Sequence, residues 1–196
     1  KYVERTFKEH KSKGIRGIKL WKNISLMLKD KSGKYIAIDD ERLKPIWEAS
    51  AKYDLPILIH IGDPKAFFTP VDEYNEYYDC LELFPEWSFY GPEFYTFEQL
   101  MEMQENMLAN NPDTTFIIAH VGSCPEDLGF VGRLLDKYKN MYIDIAARIN
   151  ELGRQPYTAR KFFIDYQDRI LFGTDYFASC DTSDIYPYYF RFLETF

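Results

Sequence analysis

The sequence has no surplus of positive charge. Among its 196 residues, 31 Asp and Glu outnumber 24 Lys and Arg, for a formal net charge of −7. A nucleic-acid partner would want a basic face, so none is expected. Long hydrophobic runs are missing as well. The longest, Leu55 to Ile61 and Phe116 to Ala119 with Val121, are strand-sized. A membrane span needs about 18 apolar residues, so no membrane partner is expected either. Cysteine is scarce: Cys80, Cys124 and Cys180 form an odd set without CxxC spacing, which suggests neither a zinc knuckle nor a disulfide framework. They read as free thiols of a reducing compartment. No GxGxxG or GxxxxGK[ST] pattern occurs, which argues against a nucleotide-binding turn. Low-complexity tracts and internal repeats are absent.

What is present is a globular composition, 46% hydrophobic and rich in aromatics at 18%. The length suits one substantial core, hence a single domain over residues 1–196. The chain opens on Lys1 inside one amphipathic helix pattern and stops at Phe196 inside another. It therefore reads as a piece truncated at the N-terminus and at the C-terminus. The compartment stays open on this reading, with the cytoplasm slightly favoured.

Short β-branched runs alternate with longer segments of 3.6 period, the signature of βαβ units on a parallel sheet. Helices are expected at about Tyr2 to Ser12, after the capping pair Asp39 and Asp40, and at Phe97 to Asn110, Pro125 to Tyr138 and Tyr157 to Tyr166. A last helix starts near Tyr186. Strands are expected at Ile15 to Leu20, Leu55 to His60, Thr114 to Ala119, Met141 to Ile145 and Arg169 to Phe172. The second has the continuous apolar look of a strand covered on both faces. Ile61 to about Tyr95 reads as one long irregular stretch. Such strands make either a doubly wound sheet or a (β/α)8 barrel. The placement of polar residues favours the barrel, which builds its site at the carboxyl ends of its strands. Lys19, His60 and His120 end the first three strands, Asp144 and Arg148 flank the end of the fourth, and Asp175 follows the fifth.

His60 alone could be a core imidazole bonded to a carbonyl. His120 repeats its setting, an apolar strand, a histidine and then a glycine two residues on, and equivalent strand ends of a barrel face one pocket. With Asp175 they make two imidazoles and a carboxylate, ligand types for Zn²⁺ or a similar divalent ion. Such an ion would activate water and polarise the substrate, with a nearby acid or base to move the proton. Three donors are one short of a well-held site, so a His–Asp pair acting without metal stays open. His10, beside Lys11 and Lys13, reads as a solvated surface residue.

The strings GIRGIKL, LPILIHIGDP, FIIAHVGS, MYIDIAAR and RILFGTD occur in this order. Together they resemble strands 4 to 8 of the metal-dependent hydrolases of the amidohydrolase superfamily, in the branch that includes aminocarboxymuconate-semialdehyde decarboxylase. The resemblance implies a partial (β/α)8 TIM-type barrel from about Tyr2 onward. It implies His60 as a metal ligand, Asp175 as a residue touching both the metal and its water, and His120 as the residue that orients or activates water. In binuclear members the residue at the His120 position binds a second metal. Zinc is the expected ion. The family's HxH pair of strand 1 has no counterpart in these residues. Lys19 matches the strand 4 lysine, which is carboxylated and bridging in binuclear members and an unmodified pocket lysine in the decarboxylase-like branch; an ordinary strand-end lysine also stays open.

Around this site, Arg148 is the candidate to hold a substrate carboxylate through its planar fork, against the alternative of a salt bridge to Glu151 or Asp144. Lys19 is the second candidate for contact with substrate. Asp144 could support a neighbouring ligand. Arg154 and Arg160 read as solvated. The stretch Gly62 to Tyr95 carries Phe67, Phe68, Tyr77, Phe84, Trp87, Phe89 and other aromatics, and reads as a self-packed loop with some rings reaching the pocket. The expected activity is hydrolysis of a small cyclic or carboxylated molecule through metal-activated water. Non-oxidative decarboxylation on the same site is the alternative, and an inactive barrel serving as a binding module is a third reading. The expected partner is a small-molecule substrate, and a homo-oligomer is compatible with the sequence.

Overall fold

The computed structural model of the chain describes residues 1–176 and 185–195. Cys180 lies outside them, and Cys80 and Cys124 are free thiols. Five strands pair in chain order, all parallel, as one open sheet: β1 (Ile18–Leu20), β2 (Ile57–Ile59), β3 (Phe116–Ile118), β4 (Met141–Asp144) and β5 (Ile170–Leu171). Helices α1 (Tyr2–Ser12), α2 (Lys44–Tyr53), α3 (Tyr78–Leu83), α4 (Phe97–Asn110), α5 (Leu128–Lys137), α6 (Ile149–Gly153), α7 (Pro156–Tyr166) and α8 (Ile185–Glu194) alternate with them. This is the strand-and-helix alternation of a TIM-type barrel, with the barrel left unclosed.

The register follows from the apolar alternation. Ile57, Phe116 and Met141 lie side by side, as do Ile59, Ile118 and Ile143, and all six are fully buried against the helices. The opposite face carries Lys19, Leu58, Ile117 and Tyr142 in a second row, exposed or half-buried. Only one face of β2 is therefore sealed, which corrects the expectation of cover on both. An open sheet of five strands cannot wrap its inner side chains as a closed barrel does.

Strands are shorter than their hydrophobic runs. Arg16 and Gly17 precede β1, and His60 follows β2. Asp40 accepts from the backbone N–H of Arg42 and caps a 3₁₀ turn (Glu41–Leu43) that runs into α2. Thr96 and Gln99 form a reciprocal capping box at the start of α4. The stretch expected to be irregular contains a 3₁₀ turn (Lys65–Phe68), α3 and a second 3₁₀ turn (Pro85–Trp87). Its rings stack on one another: Phe68 on Phe89 at 5.6 Å and Phe84 on Trp87 at 4.6 Å. The buried Asn75 amide donates to the carbonyls of Ala66 and Pro70 at 2.8 and 2.9 Å and holds the segment closed on itself.

The core joins the helix-facing row of the sheet to Leu100, Met107, Leu135 and Phe162 of the surrounding helices. Trp47 of α2 meets the Phe116 ring edge-on at 5.4 Å, and its carbonyl accepts from Thr114 Oγ1. Trp47→Ala should lower stability by about 3–5 kcal/mol, the usual range for a buried large aromatic. Urea denaturation followed by circular dichroism measures this, and a shift of less than 1 kcal/mol would contradict the packing described.

Candidate active site

Parallel pairing brings the strand ends to one side of the sheet. His60 follows Ile59 directly, and its backbone N–H donates to the Leu20 carbonyl at the end of β1 (3.1 Å). After β3 the chain does not run on extended. His120, Val121, Gly122 and Ser123 all have φ between 57° and 66°, one turn of left-handed helix. L-residues avoid this region at about 1–2 kcal/mol each, and a β-branched valine adopts it least readily. Gly122 is required there twice over: its φ is +66°, and a Cβ would meet Val131 Cγ1 at 3.1 Å and Met141 Cε at 3.2 Å. The turn swings the His120 ring towards His60 instead of letting it continue the strand's alternation. His120 Nε2 then lies 3.2 Å from His60 Nδ1.

Asp144, the last residue of β4, holds this turn. Its Oδ1 accepts from the backbone N–H of His120 at 2.8 Å and of Ala146 at 3.1 Å. The Ala146 carbonyl faces His120 Nδ1 at 2.8 Å. The loop after β5 is tied to the same place, with the Ala147 N–H donating to the Thr174 carbonyl. That contact presents Asp175, itself at φ 61° and half-exposed, with Oδ2 at 3.9 Å from His120 Nε2. The structure thus brings His60, His120 and Asp175 together, as their strand-end positions require.

The hydrogen bonds fix the tautomers. A carbonyl can only accept, so His120 Nδ1 carries the proton and its Nε2 is bare when the ring is neutral. His60 Nδ1 must then donate to His120 Nε2, which leaves His60 Nε2 bare. That atom is buried without a hydrogen-bond partner and lies 3.4 Å from Asp63 Oδ1. Burial lowers the pKa of His60, against the opposing pull of Asp63. Burial and then the neighbouring His60 and Arg148 bring His120 down to about 2. Both rings are therefore neutral at neutral pH.

Sequence reading did not single out Asp63 or Lys22. Burial alone would raise the Asp63 carboxyl, but its neighbours, the Lys22 ammonium 2.5 Å away among them, hold it well below the usual carboxylate range. The signal was present: a carboxylate three residues beyond His60 in HIGDP, and a second lysine in KLWK. Arg148 is buried and donates from Nη1 to the Ala147 carbonyl. Among the described residues the carboxylate within ion-pair reach of Arg148 is Asp63, at 4.0 Å, and neither Glu151 nor Asp144 pairs with it. Glu151 instead accepts from the Tyr77 hydroxyl, and Asp144 is engaged by backbone N–H groups. Lys19 stands on the open face of the sheet. Desolvation there lowers its ammonium pKa, opposed by Asp144 and Asp175.

Among the described residues, no group of three or more His, Cys, Asp or Glu side chains is arranged to hold a metal ion. The bare, buried His60 Nε2 nevertheless fits a ligand role, since an ion is one of few things that satisfy such an atom. The cluster fits a metal as part of a donor set.

The sequence model described as Amidohydrolase matches residues 3–192, nearly the whole chain, and the chain belongs to that family. No curated protein matches it. Among solved structures, 2,6-dihydroxybenzoate decarboxylase from Rhizobium is 17% identical with a TM-score of 0.56, over 89% of this chain and 55% of its own. Dihydroxybenzoic acid decarboxylase from Polaromonas, solved with bound manganese and the inhibitor 2-nitroresorcinol, is 15% identical with a TM-score of 0.55, over 89% and 54%. Dihydroorotase from Campylobacter jejuni is 16% identical with a TM-score of 0.50, over 88% and 47%. The chain spans about half the length of these proteins, and at such identities the likeness is one of fold.

The depressed imidazoles give a pH dependence to stability. The unfolded rings titrate near 6.5 and bind protons that the folded rings refuse. Their contribution is complete above about pH 6.5 and is lost below it, by up to about 1.4 kcal/mol per pH unit for each ring. In metal-free protein, urea midpoints between pH 7 and 4 should fall less steeply for His120→Gln than for wild type. Parallel slopes would contradict a buried neutral His120.

Proposed function

We propose that the chain carries the metal-dependent hydrolytic site of an amidohydrolase, acting on a small cyclic or carboxylated substrate. The observation that carries this reading is the convergence of His60, His120 and Asp175 on one side of the sheet, with His60 Nε2 bare. His60 and Asp175 would supply part of the ligand set of a divalent ion, zinc by the chemistry of its donors, and further ligands must complete it. When bound, such an ion supplies Lewis-acid polarisation and a lowered pKa for water.

The chain's own residues do the rest. His120, held in one tautomer by Ala146, has Nε2 as its basic atom, and a proton lands there only in exchange for the hydrogen bond that His60 Nδ1 donates to it. Its low basicity means that it takes a proton only as negative charge arrives beside it, which a carboxylated substrate or a developing oxyanion provides. Arg148 holds a substrate carboxylate with donors not committed to Ala147, and its Nε is buried without a hydrogen-bond partner. Lys19 adds a second cation on the open face. Asp175 stands exposed enough to reach both the ion and its water.

Non-oxidative decarboxylation is the second reading. It is favoured by the fold similarity to two dihydroxybenzoate decarboxylases, one of them with manganese. Substrates separate the two: lactones and cyclic amides followed by proton release, and hydroxybenzoates followed by carbon dioxide release.

The role assignment is tested by metal content and turnover together. His60→Gln should lose both. His120→Gln should keep the metal and lose about 10²–10⁴ in kcat, the range for a missing acid or base. Loss of metal from the second variant would place His120 among the ligands and overturn its assigned role.

A further inference from the structure

A cavity of 440 Å³ opens between α4 and the loop that leads from the His120 turn into α5, and its lining includes neither histidine of the catalytic cluster nor Asp175. Its floor is apolar: Phe97 and Met101 of α4 are buried on one side, and Cys124 and Phe130 close the other. Its rim is acidic. Glu98, Glu102, Glu105, Glu126 and Asp127 stand there against one lining cation, Lys65. The walls are held in place, since Gln104 of α4 donates to the Gly122 carbonyl just before the loop. A preformed, mostly apolar cavity of this size suits a small organic molecule. We propose that it binds a small organic cation, an arylalkylammonium whose ring lies on the floor and whose ammonium meets the rim carboxylates. This site is separate from the metal-dependent one and does not rest on it.

Charge complementarity selects the occupant. The Lys65 ammonium is already matched by Glu98, 2.8 Å away, and Glu105 by Lys137 and the Tyr138 hydroxyl. Asp127 caps α5 by accepting the Phe130 N–H, and Glu126 accepts the Lys65 N–H. Among the described residues, no cation forms an ion pair with Glu102, Glu126 or Asp127. An anion would be repelled by these three, and a neutral molecule would gain nothing from them. Burial raises the pKa of Glu126, and a cation beside it is what favours its ionised form. A metal ion is the wrong cation. Among the described residues no three such side chains are arranged to hold one, so the charge belongs on an organic body that also covers the floor. The rings suit a cation as well. The Lys65 ammonium lies 5.7 Å from the Phe97 centroid, and the Arg133 guanidinium 5.8 Å from that of Phe130.

Tryptamine is the probe, beside tryptophol, its neutral isostere, and indole-3-acetate, an anion of similar shape. Amide shifts of the nitrogen-15-labelled protein locate each probe and give its Kd. Tryptamine should bind saturably, move the amides of residues 97–102 and 126–130, and bind at least about tenfold more tightly than tryptophol, the loss expected when a charged hydrogen bond is removed. Indole-3-acetate should bind more weakly still. Glu126→Gln keeps an oxygen for the Lys65 N–H, and Glu102→Lys changes an exposed side chain, so both variants should fold. Together they should weaken tryptamine by at least about tenfold. Equal affinity for tryptophol or indole-3-acetate would overturn the proposal, as would shifts centred on other residues or no saturable shift at all. Wild-type affinity for tryptamine in the folded double variant would overturn it too.

Discussion

The contact between His60 Nδ1 and His120 Nε2 is the interaction on which the rest of the site depends. It requires that β2 and β3 pair with Ile59 opposite Ile118, so that both chains leave the sheet at the same level. A slip of one residue would turn every side chain of one strand to the other face. The fully buried Ile57, Ile59, Phe116 and Ile118 prevent that slip, because it would bring the helix-facing row out to the open face. Hydrophobic burial on one side of the sheet therefore sets the geometry of polar groups at its end.

The left-handed turn after β3 is the local cost of this arrangement. Three non-glycine residues, His120, Val121 and Ser123, occupy a region that L-residues avoid. Strain of this kind persists where surrounding contacts over-determine the backbone. Here they do: Val121 is fully buried, the Gln104 side chain donates to the Gly122 carbonyl, and Asp144 accepts the His120 N–H. A relaxed extended continuation would leave the His120 N–H without its carboxylate and turn the ring away from His60.

Much of this was legible in the sequence, and for identifiable reasons. Helices α1 and α4 have the bounds that their periodicity and end signals predict, because amphipathic spacing and caps are local. The strand-end positions of Lys19, His60, His120 and Asp175 could be read because an apolar run ending in a polar residue needs no knowledge of neighbours. The short elements inside 62–95 were not legible: their aromatics follow no single period, and their order comes from rings packing on one another. Asp63 was missed for a similar reason. Its importance lies in Lys22 and Arg148 meeting it from the loops after β1 and β4, which no spacing records. The Tyr77 bond to Glu151 likewise joins residues 74 positions apart, and it removes the ion pair that adjacency had suggested for Arg148.

The account turns on which imidazole nitrogens carry protons. With three histidines in the chain, the ring resonances are few enough to separate. Nitrogen-15 imidazole spectra of the metal-free and Zn²⁺-loaded protein at pH 7, assigned with His60→Gln and His120→Gln, test it most directly. The predicted result is His120 protonated at Nδ1 in both states, and His60 protonated at Nδ1 with Nε2 shifting on addition of zinc. A His120 protonated at Nε2, or a His60 whose Nε2 does not respond to the ion, would contradict the central claim.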